Sequence, residues 1–229
     1  MEPEFQSSCG RVTLYHGDCR DIAPTLESVD AVMTDPPYGI NYEASRYRNA
    51  VFNGVIHGDA DAFDPSWIMK MKCPMVLWGG NNFANVLPPG GWLVWDKRTN
   101  EAADKMMGSP FELAWCSIRT TYKMLRLLHA GCVNADSVKG NNERRLHPTQ
   151  KPVRVMSWSM EQAKVPEGAT VLDPYMGSGS TGIACIRSGR RFVGIEKDPT
   201  HYATALERIK NELAQGDLFL NQSPHGSPG

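Results

Sequence analysis

The sequence has no apolar run approaching the roughly 18 residues needed to cross a bilayer, so it predicts no membrane-spanning helix. It also lacks paired cysteines. Cys9, Cys19, Cys73, Cys116, Cys132 and Cys185 are scattered, with no Cys-x-x-Cys spacing and no His-x-x-x-His partner, which points away from bound metal and towards buried, reduced thiols. The start, Met1-Glu2-Pro3-Glu4, has neither the basic residues nor the apolar stretch of a signal peptide, and a cytoplasmic protein is expected. Net charge is only −1, unlike a general polyanion binder. The charge is nevertheless uneven: between Arg119 and Arg154 basic residues outnumber acidic ones eight to two, which implies a two-faced molecule. With 229 residues, 41% hydrophobic and 21% charged, the chain suits one globular domain with insertions.

Among what is present, the stretch Asp173-Pro174-Tyr175-Met176-Gly177-Ser178-Gly179-Ser180-Thr181-Gly182 organises the rest. It follows an apolar run, Thr170-Val171-Leu172, that reads as a buried strand, and it opens into a short helix over Ile183 to Ser188 that Gly189 stops. The next apolar run, Arg191 to Ile195, ends at Glu196, 19 residues beyond Gly177. Strand, glycine loop, helix and an acidic residue about 20 positions on form the pattern of a nucleotide-binding βαβ unit, in which the acidic residue holds ribose hydroxyls. No Lys-Ser or Lys-Thr follows the glycines, which excludes a Walker phosphate loop.

A second motif lies near the other end. Val12 to His16 reads as a strand running into Gly17-Asp18-Cys19, and Asp18 at its carboxyl end is a candidate ligand contact or a turn residue. The strand Ala31 to Thr34 ends in Asp35-Pro36-Pro37-Tyr38. Two prolines remove two backbone donors and leave carbonyl acceptors beside a carboxylate and an aromatic ring. Such a cluster is either a rigid turn or a site for a planar substrate carrying an amino group. Gly39 to Phe63 is long, polar and aperiodic, as a functional loop would be.

Further elements follow in order. A helix is expected over Pro65 to Lys72, a strand over Pro74 to Trp78, a short helix from Asn81 to Leu87, and strands over Trp92 to Trp95, Phe111 to Ile118 and Lys123 to His129, the last two near a sheet edge. Ala130 to Arg145 shows no period. After His147-Pro148-Thr149-Gln150-Lys151-Pro152 a helix runs to Ala163 with Val153, Met156 and Met160 on one stripe. Asp198 caps a final helix whose stripe is Tyr202, Leu206, Ile209 and Leu213. Residues 1 to 10 read as a loose arm and 216 to 229 as a disordered tail, leaving one domain over 1–215.

On these motifs the chain resembles the S-adenosylmethionine-dependent DNA amino-methyltransferases of the permuted β group. In that family an Asp-Pro-Pro-Tyr motif comes first, a target-recognition region follows, and a His-Pro-Thr-x-Lys-Pro element with a glycine-rich motif comes last; here these are Asp35 to Tyr38, roughly 96–146, His147 to Pro152 and Asp173 to Thr181. The resemblance implies an α/β fold with a Rossmann-like, mostly parallel methyltransferase sheet in permuted motif order. It implies that Asp35, Pro36, Pro37 and Tyr38 are catalytic, with Asp35 and the Pro36 carbonyl accepting the hydrogens of an exocyclic amino group and Tyr38 stacking on a flipped base. It implies S-adenosylmethionine as cofactor. That cofactor is held by Asp173, Tyr175, Gly177, Ser178, Gly179 and Thr181, by Glu196 on the ribose, by Asp18 and Cys19 near the adenine, and by Thr149 and Lys151 near the amino acid end.

The implied partner is double-stranded DNA, met by the basic segment through Lys139, Asn141, Asn142, Arg144 and Arg145; family members often form homodimers. Asp35 at the first motif position favours the 6-amino group of adenine, with the 4-amino group of cytosine as the alternative. Cytosine 5-methylation is excluded, because it needs a cysteine nucleophile, usually in a Pro-Cys dipeptide, and there is none. A dinucleotide oxidoreductase fails on layout, since too little chain follows Gly182 for the rest of that fold. A regulator that binds cofactor and DNA without catalysis is the non-enzyme alternative.

Overall fold

A computed structural model describes residues 2–38, 63–98, 109–128 and 150–221, with side chains through residue 215. Nine strands form one sheet: β1 (Phe5–Gln6), β2 (Val12–His16), β3 (Ala31–Thr34), β4 (Met75–Trp78), β5 (Gly91–Asp96), β6 (Phe111–Cys116), β7 (Lys123–Arg126), β8 (Thr170–Asp173) and β9 (Arg191–Glu196). Four α-helices accompany them: α1 (Cys19–Ile22), α2 (Val153–Gln162), α3 (Ser180–Arg187) and α4 (Pro199–Asn221). The strand order is β1-β2-β9-β8-β3-β4-β6-β5-β7. Pairing is parallel from β2 through β4 and again between β5 and β7, and antiparallel where β6 lies between β4 and β5.

Short apolar runs become the central strands because both sheet faces are covered. All four residues of β3 and of β4 are buried. Alternate residues serve opposite layers: Ala31, Met33, Val76 and Trp78 pack with α2, α3 and α4, whereas Val32, Met75, Leu77 and Leu172 pack with Cys19, Ile22, Phe63 and Ile68. The expected stripes are in place. Val153, Met156 and Met160 of α2 are buried, as are Tyr202 and Ile209 of α4, while Leu206 and Leu213 flank the same core. Asp198 accepts hydrogen bonds from the backbone N–H groups of Thr200 and His201 and so caps α4.

Several expectations change. The loose arm contains β1, whose Phe5 and Gln6 pair with Leu14 and Thr13. Between β2 and β3 the chain forms the one-turn α1 and a 3₁₀ turn, Ala23–Thr25, with Pro24 in its first turn. The helices expected near 65 and 81 are 3₁₀, over Pro65–Lys70 and Gly80–Val86. Of the two strands expected near a sheet edge, β7 lies at one edge and β6 is the third strand in from it. The helix α4 runs past Gly216 to Asn221, because one glycine inside a long helix lowers its stability without ending it. Residues 39–62 and the basic stretch 129–149 lie outside the described residues.

Topology fixes where chemistry can sit. The carboxyl ends of β2, β9, β8, β3 and β4 share one rim, and the two reversals through β6 return the carboxyl ends of β5 and β7 to it, together with the amino end of β6. Ligands of open α/β sheets bind beyond that rim.

Candidate active site

Asp18, Asp35, Asp173 and Glu196 all reach this rim, at or just beyond the ends of β2, β3, β8 and β9. Glu196 is held by its own neighbourhood: Gly177 donates its backbone N–H to Oε2 at 2.9 Å, and Lys197 and Asp198 donate theirs to Oε1 at 2.9 and 2.8 Å. Three donors on a carboxylate leave acceptor capacity for a hydroxyl. Asp18 stands one strand away, since His16 pairs with Glu196 in register. Its carboxylate accepts from the Arg20 N–H at 2.9 Å and from the Lys197 ammonium at 2.9 Å, and these hold it below the ordinary carboxylate range.

The glycine loop departs from the usual side-chain backbone region at Gly177 (φ 51°) and Gly179 (φ 81°). At Gly177 a side chain would meet no atom within 4 Å, so the loop presents bare backbone to an open cradle beside Glu196. At Gly179 a side chain would crowd Ala205 and Ile209 of α4. Tyr175, half-buried, stands edge-on to Phe63, with ring centroids 5.7 Å apart. Burial pushes the Cys19 thiol up to about 11 and keeps it neutral.

Other residues expected at the cofactor turn inward. Asp173 is 3% exposed; it accepts from Thr34 at 2.7 Å, from Thr181 at 2.5 Å and from the Tyr175 N–H at 3.1 Å. These bonds tie β3, β8 and α3 together, and burial raises the Asp173 pKa to about 7. Ser178 is 8% exposed and clamped by Arg208, whose Nη1 donates to its carbonyl at 2.5 Å and its hydroxyl at 3.1 Å. These three groups brace the loop from behind.

Beyond β3 the Asp35 carboxylate accepts from the Tyr38 hydroxyl on Oδ1 and from the Lys151 ammonium on Oδ2 at 2.6 Å. The Tyr38 ring lies against Gly79 (φ 70°), where any side chain would overlap it. Lys151, expected near the amino acid end of the cofactor, sits in the Asp35 cluster, 3.2 Å from the Tyr38 hydroxyl and 2.7 Å from Glu112 Oε2, over the Trp78 ring at 5.4 Å. Lys97 pairs with the other Glu112 oxygen. Burial raises the Asp35 pKa against the pull of Lys151. Burial alone would lower the Lys151 pKa, but the Asp35 and Glu112 carboxylates outweigh it and keep the ammonium charged. Burial opposes ionisation of Glu112 too, yet Lys151 and Lys97 hold its pKa down to about 2.

Glu112 and Lys97 belong to no motif, and sequence reasoning missed them. The available signal was a carboxylate inside an otherwise apolar strand. Thr149, His147, Lys139, Asn141, Asn142, Arg144 and Arg145 lie outside the described residues. Among the described residues no cluster of His, Cys, Asp and Glu could hold a metal, and no helix is long and apolar enough to cross a membrane.

A parallel sheet with a reversed strand at one side, a glycine cradle and an acidic rim define a methyltransferase-like α/β domain. Comparison with known proteins agrees: a family model described as DNA methylase matches residues 94–207. The type II methyltransferase M.HinfI of Haemophilus influenzae is 24% identical over 245 residues, covering 86% of this chain and 68% of that protein. M2.MboI of Moraxella bovis, also a type II methyltransferase, is 23% identical over 263 residues, covering 94% and 96%. The PvuII DNA methyltransferase, cytosine-N4-specific, shares the fold at a TM-score of 0.57 and 13% identity, over 93% of this chain and 94% of that one. These similarities support an S-adenosylmethionine-dependent DNA amino-methyltransferase of the N6/N4 class.

Proposed function

We propose that the protein transfers a methyl group from S-adenosylmethionine to the 6-amino group of adenine in duplex DNA. The observation that carries the reading is the Asp35 carboxylate, followed by the Pro36 carbonyl, at the end of β3 and one strand from the glycine cradle. The lone pair of an amino nitrogen on a base is delocalised into the ring, which makes it a poor nucleophile. Two acceptors drawing on its two hydrogens return that lone pair to the nitrogen, and orientation with fixed charges supplies most of the acceleration. Transfer would form the N–C bond as the methyl's S–C bond to the bound sulfonium breaks and leaves a neutral thioether, and the amino proton would be lost through Asp35.

The residues present fit the cofactor. Glu196 has acceptor capacity for ribose hydroxyls, Asp18 is an acceptor for the adenine amino group, and the bare backbone at Gly177 admits close approach. The group supplies, when bound, an activated methyl on a sulfonium. Tyr38 offers a face for a base that has left the stack, and Asp35 at the first motif position favours adenine over cytosine. The basic segment between Arg119 and Arg154, with Arg144 and Arg145, supplies phosphate contacts.

Unmethylated duplex DNA incubated with labelled S-adenosylmethionine, digested to nucleosides and resolved by mass spectrometry, should give N6-methyladenine. N4-methylcytosine would keep the mechanism and replace the base. No methylated nucleoside would overturn the reading.

A further inference from the structure

We infer that Glu112 is a positioning residue for methyl transfer, acting through Lys151: it takes a share of the Lys151 ammonium that Asp35 would otherwise hold alone, and so keeps the Asp35 carboxylate a strong acceptor. The inference rests on the amino-methyltransferase reading of Asp35. Lys151 donates to Asp35 Oδ2 at 2.6 Å and to the Tyr38 hydroxyl at 3.2 Å, and it forms an ion pair with Glu112 Oε2 at 2.7 Å. Its side chain is 6% exposed, so water does not dilute the competition between the two carboxylates.

A lone ammonium against a lone carboxylate in a dehydrated site neutralises it and weakens it as an acceptor. A second carboxylate on the same ammonium reverses part of that effect. It would also leave the site with excess negative charge, and Lys97 on the other Glu112 oxygen cancels the excess. Two carboxylates and two ammonium groups thus form a balanced row from Asp35 to Lys97. The groups facing Asp35 are Tyr38 from its own loop, Lys151 from the segment before α2, Glu112 from β6 and Asp173 from β8. Lys97 reaches Asp35 only through Glu112, and Asp96 beside it is taken by Arg98 and Arg126. The direction of the Asp35 titration agrees, since Glu112 pushes it up while Lys151 pulls it down.

The test is the pH dependence of kcat on unmethylated duplex DNA at saturating S-adenosylmethionine, with cofactor affinity measured alongside. Wild type comes first: if it makes no methylated nucleoside at any pH, the underlying reading fails whatever Glu112 does. With wild type active, Glu112→Gln should move the acid limb down by about one pH unit and lower the plateau about 10-fold. Lys151→Gln, which removes the positive charge beside Asp35, should move the limb up by about one unit or more. Glu112→Asp, which keeps the charge, should restore the wild-type limb, and all three should bind cofactor within a few-fold of wild type. A Glu112→Gln limb that coincides with wild type, or rises, overturns the inference and leaves Glu112 a structural anchor. Should Glu112→Gln lose cofactor binding through misfolding, Lys97→Met decides: Glu112 then draws harder on Lys151 and the limb must rise, and an unmoved limb overturns the inference.

Discussion

The two halves of the rim are built from different materials. On the cofactor side, Glu196 is fixed by backbone N–H groups of Gly177, Lys197 and Asp198, and the loop by glycines in conformations that side chains rarely adopt. On the catalytic side, Asp35 is fixed by side-chain charges from other segments: Lys151 lies 116 residues away in sequence, and Glu112 and Lys97 come from β6 and the end of β5. Backbone donors cannot be lost by substitution, and they belong to a contiguous unit. Charges on long side chains must be brought together by the whole sheet, and removing one leaves a buried partner unpaired, at a cost of about 3–5 kcal/mol.

The sharpest way to break this contrast is to remove one side's chemistry while sparing the other. Asp35→Ala removes one of the two amino-hydrogen acceptors together with the group that takes the proton, and should lower transfer at least about 10³-fold, while isothermal titration finds cofactor affinity within a few-fold of wild type. Lost cofactor binding in that variant would join the two halves and refute their separation. Glu196→Ala is the reciprocal case. It removes the proposed ribose acceptor and the anchor of the Gly177 N–H together, so cofactor affinity should fall about 10- to 100-fold, with kcat at saturating cofactor far less affected.

Gly79→Ala tests the catalytic side without touching a charge. Its φ of 70° is unfavourable for alanine, and the new methyl would overlap the Tyr38 ring, so Tyr38 must leave Asp35. Transfer should fall about 10-fold, by analogy with a misplaced positioning group, and tyrosine fluorescence should report the displaced ring. Asp173→Asn probes the bracing behind the loop and has the smallest effect on activity. The Asp173 pKa is raised in the folded protein to about 7, so its stabilising contribution is complete below 3.8 and is lost as pH rises towards about 7. The asparagine variant should therefore show a flatter Tm profile across that window; an unchanged profile would mean that Asp173 does not titrate there.

Legibility followed the same division. The strand, glycine loop, helix and Glu196 unit was readable because all of it lies within Thr170 to Glu196, and three of its hydrogen bonds close inside that span. Lys151 was visible within its motif, yet its role as the partner of Asp35 was not, because nothing in a linear motif says which distant carboxylate will face an ammonium. Glu112 carried only the hint of a charge among apolar residues, and its meaning appeared once β6 was inserted antiparallel between β4 and β5. The interior place of β6 was itself illegible: its alternation fits an edge as well as a centre, and only the pairing of both its faces decides.

By itself the sequence determined the class of fold, the run of core strands, the caps and stripes of α2 and α4, and the two acidic motifs, since each depends on local period, turn chemistry or burial of contiguous apolar residues. Only the tertiary structure decided that Asp173, Thr181 and Ser178 face inward, that α4 passes Gly216, and that Asp35 shares an ammonium with Glu112. Those outcomes depend on which segments the sheet sets side by side, and desolvation and Coulomb attraction act through space without regard to distance along the chain.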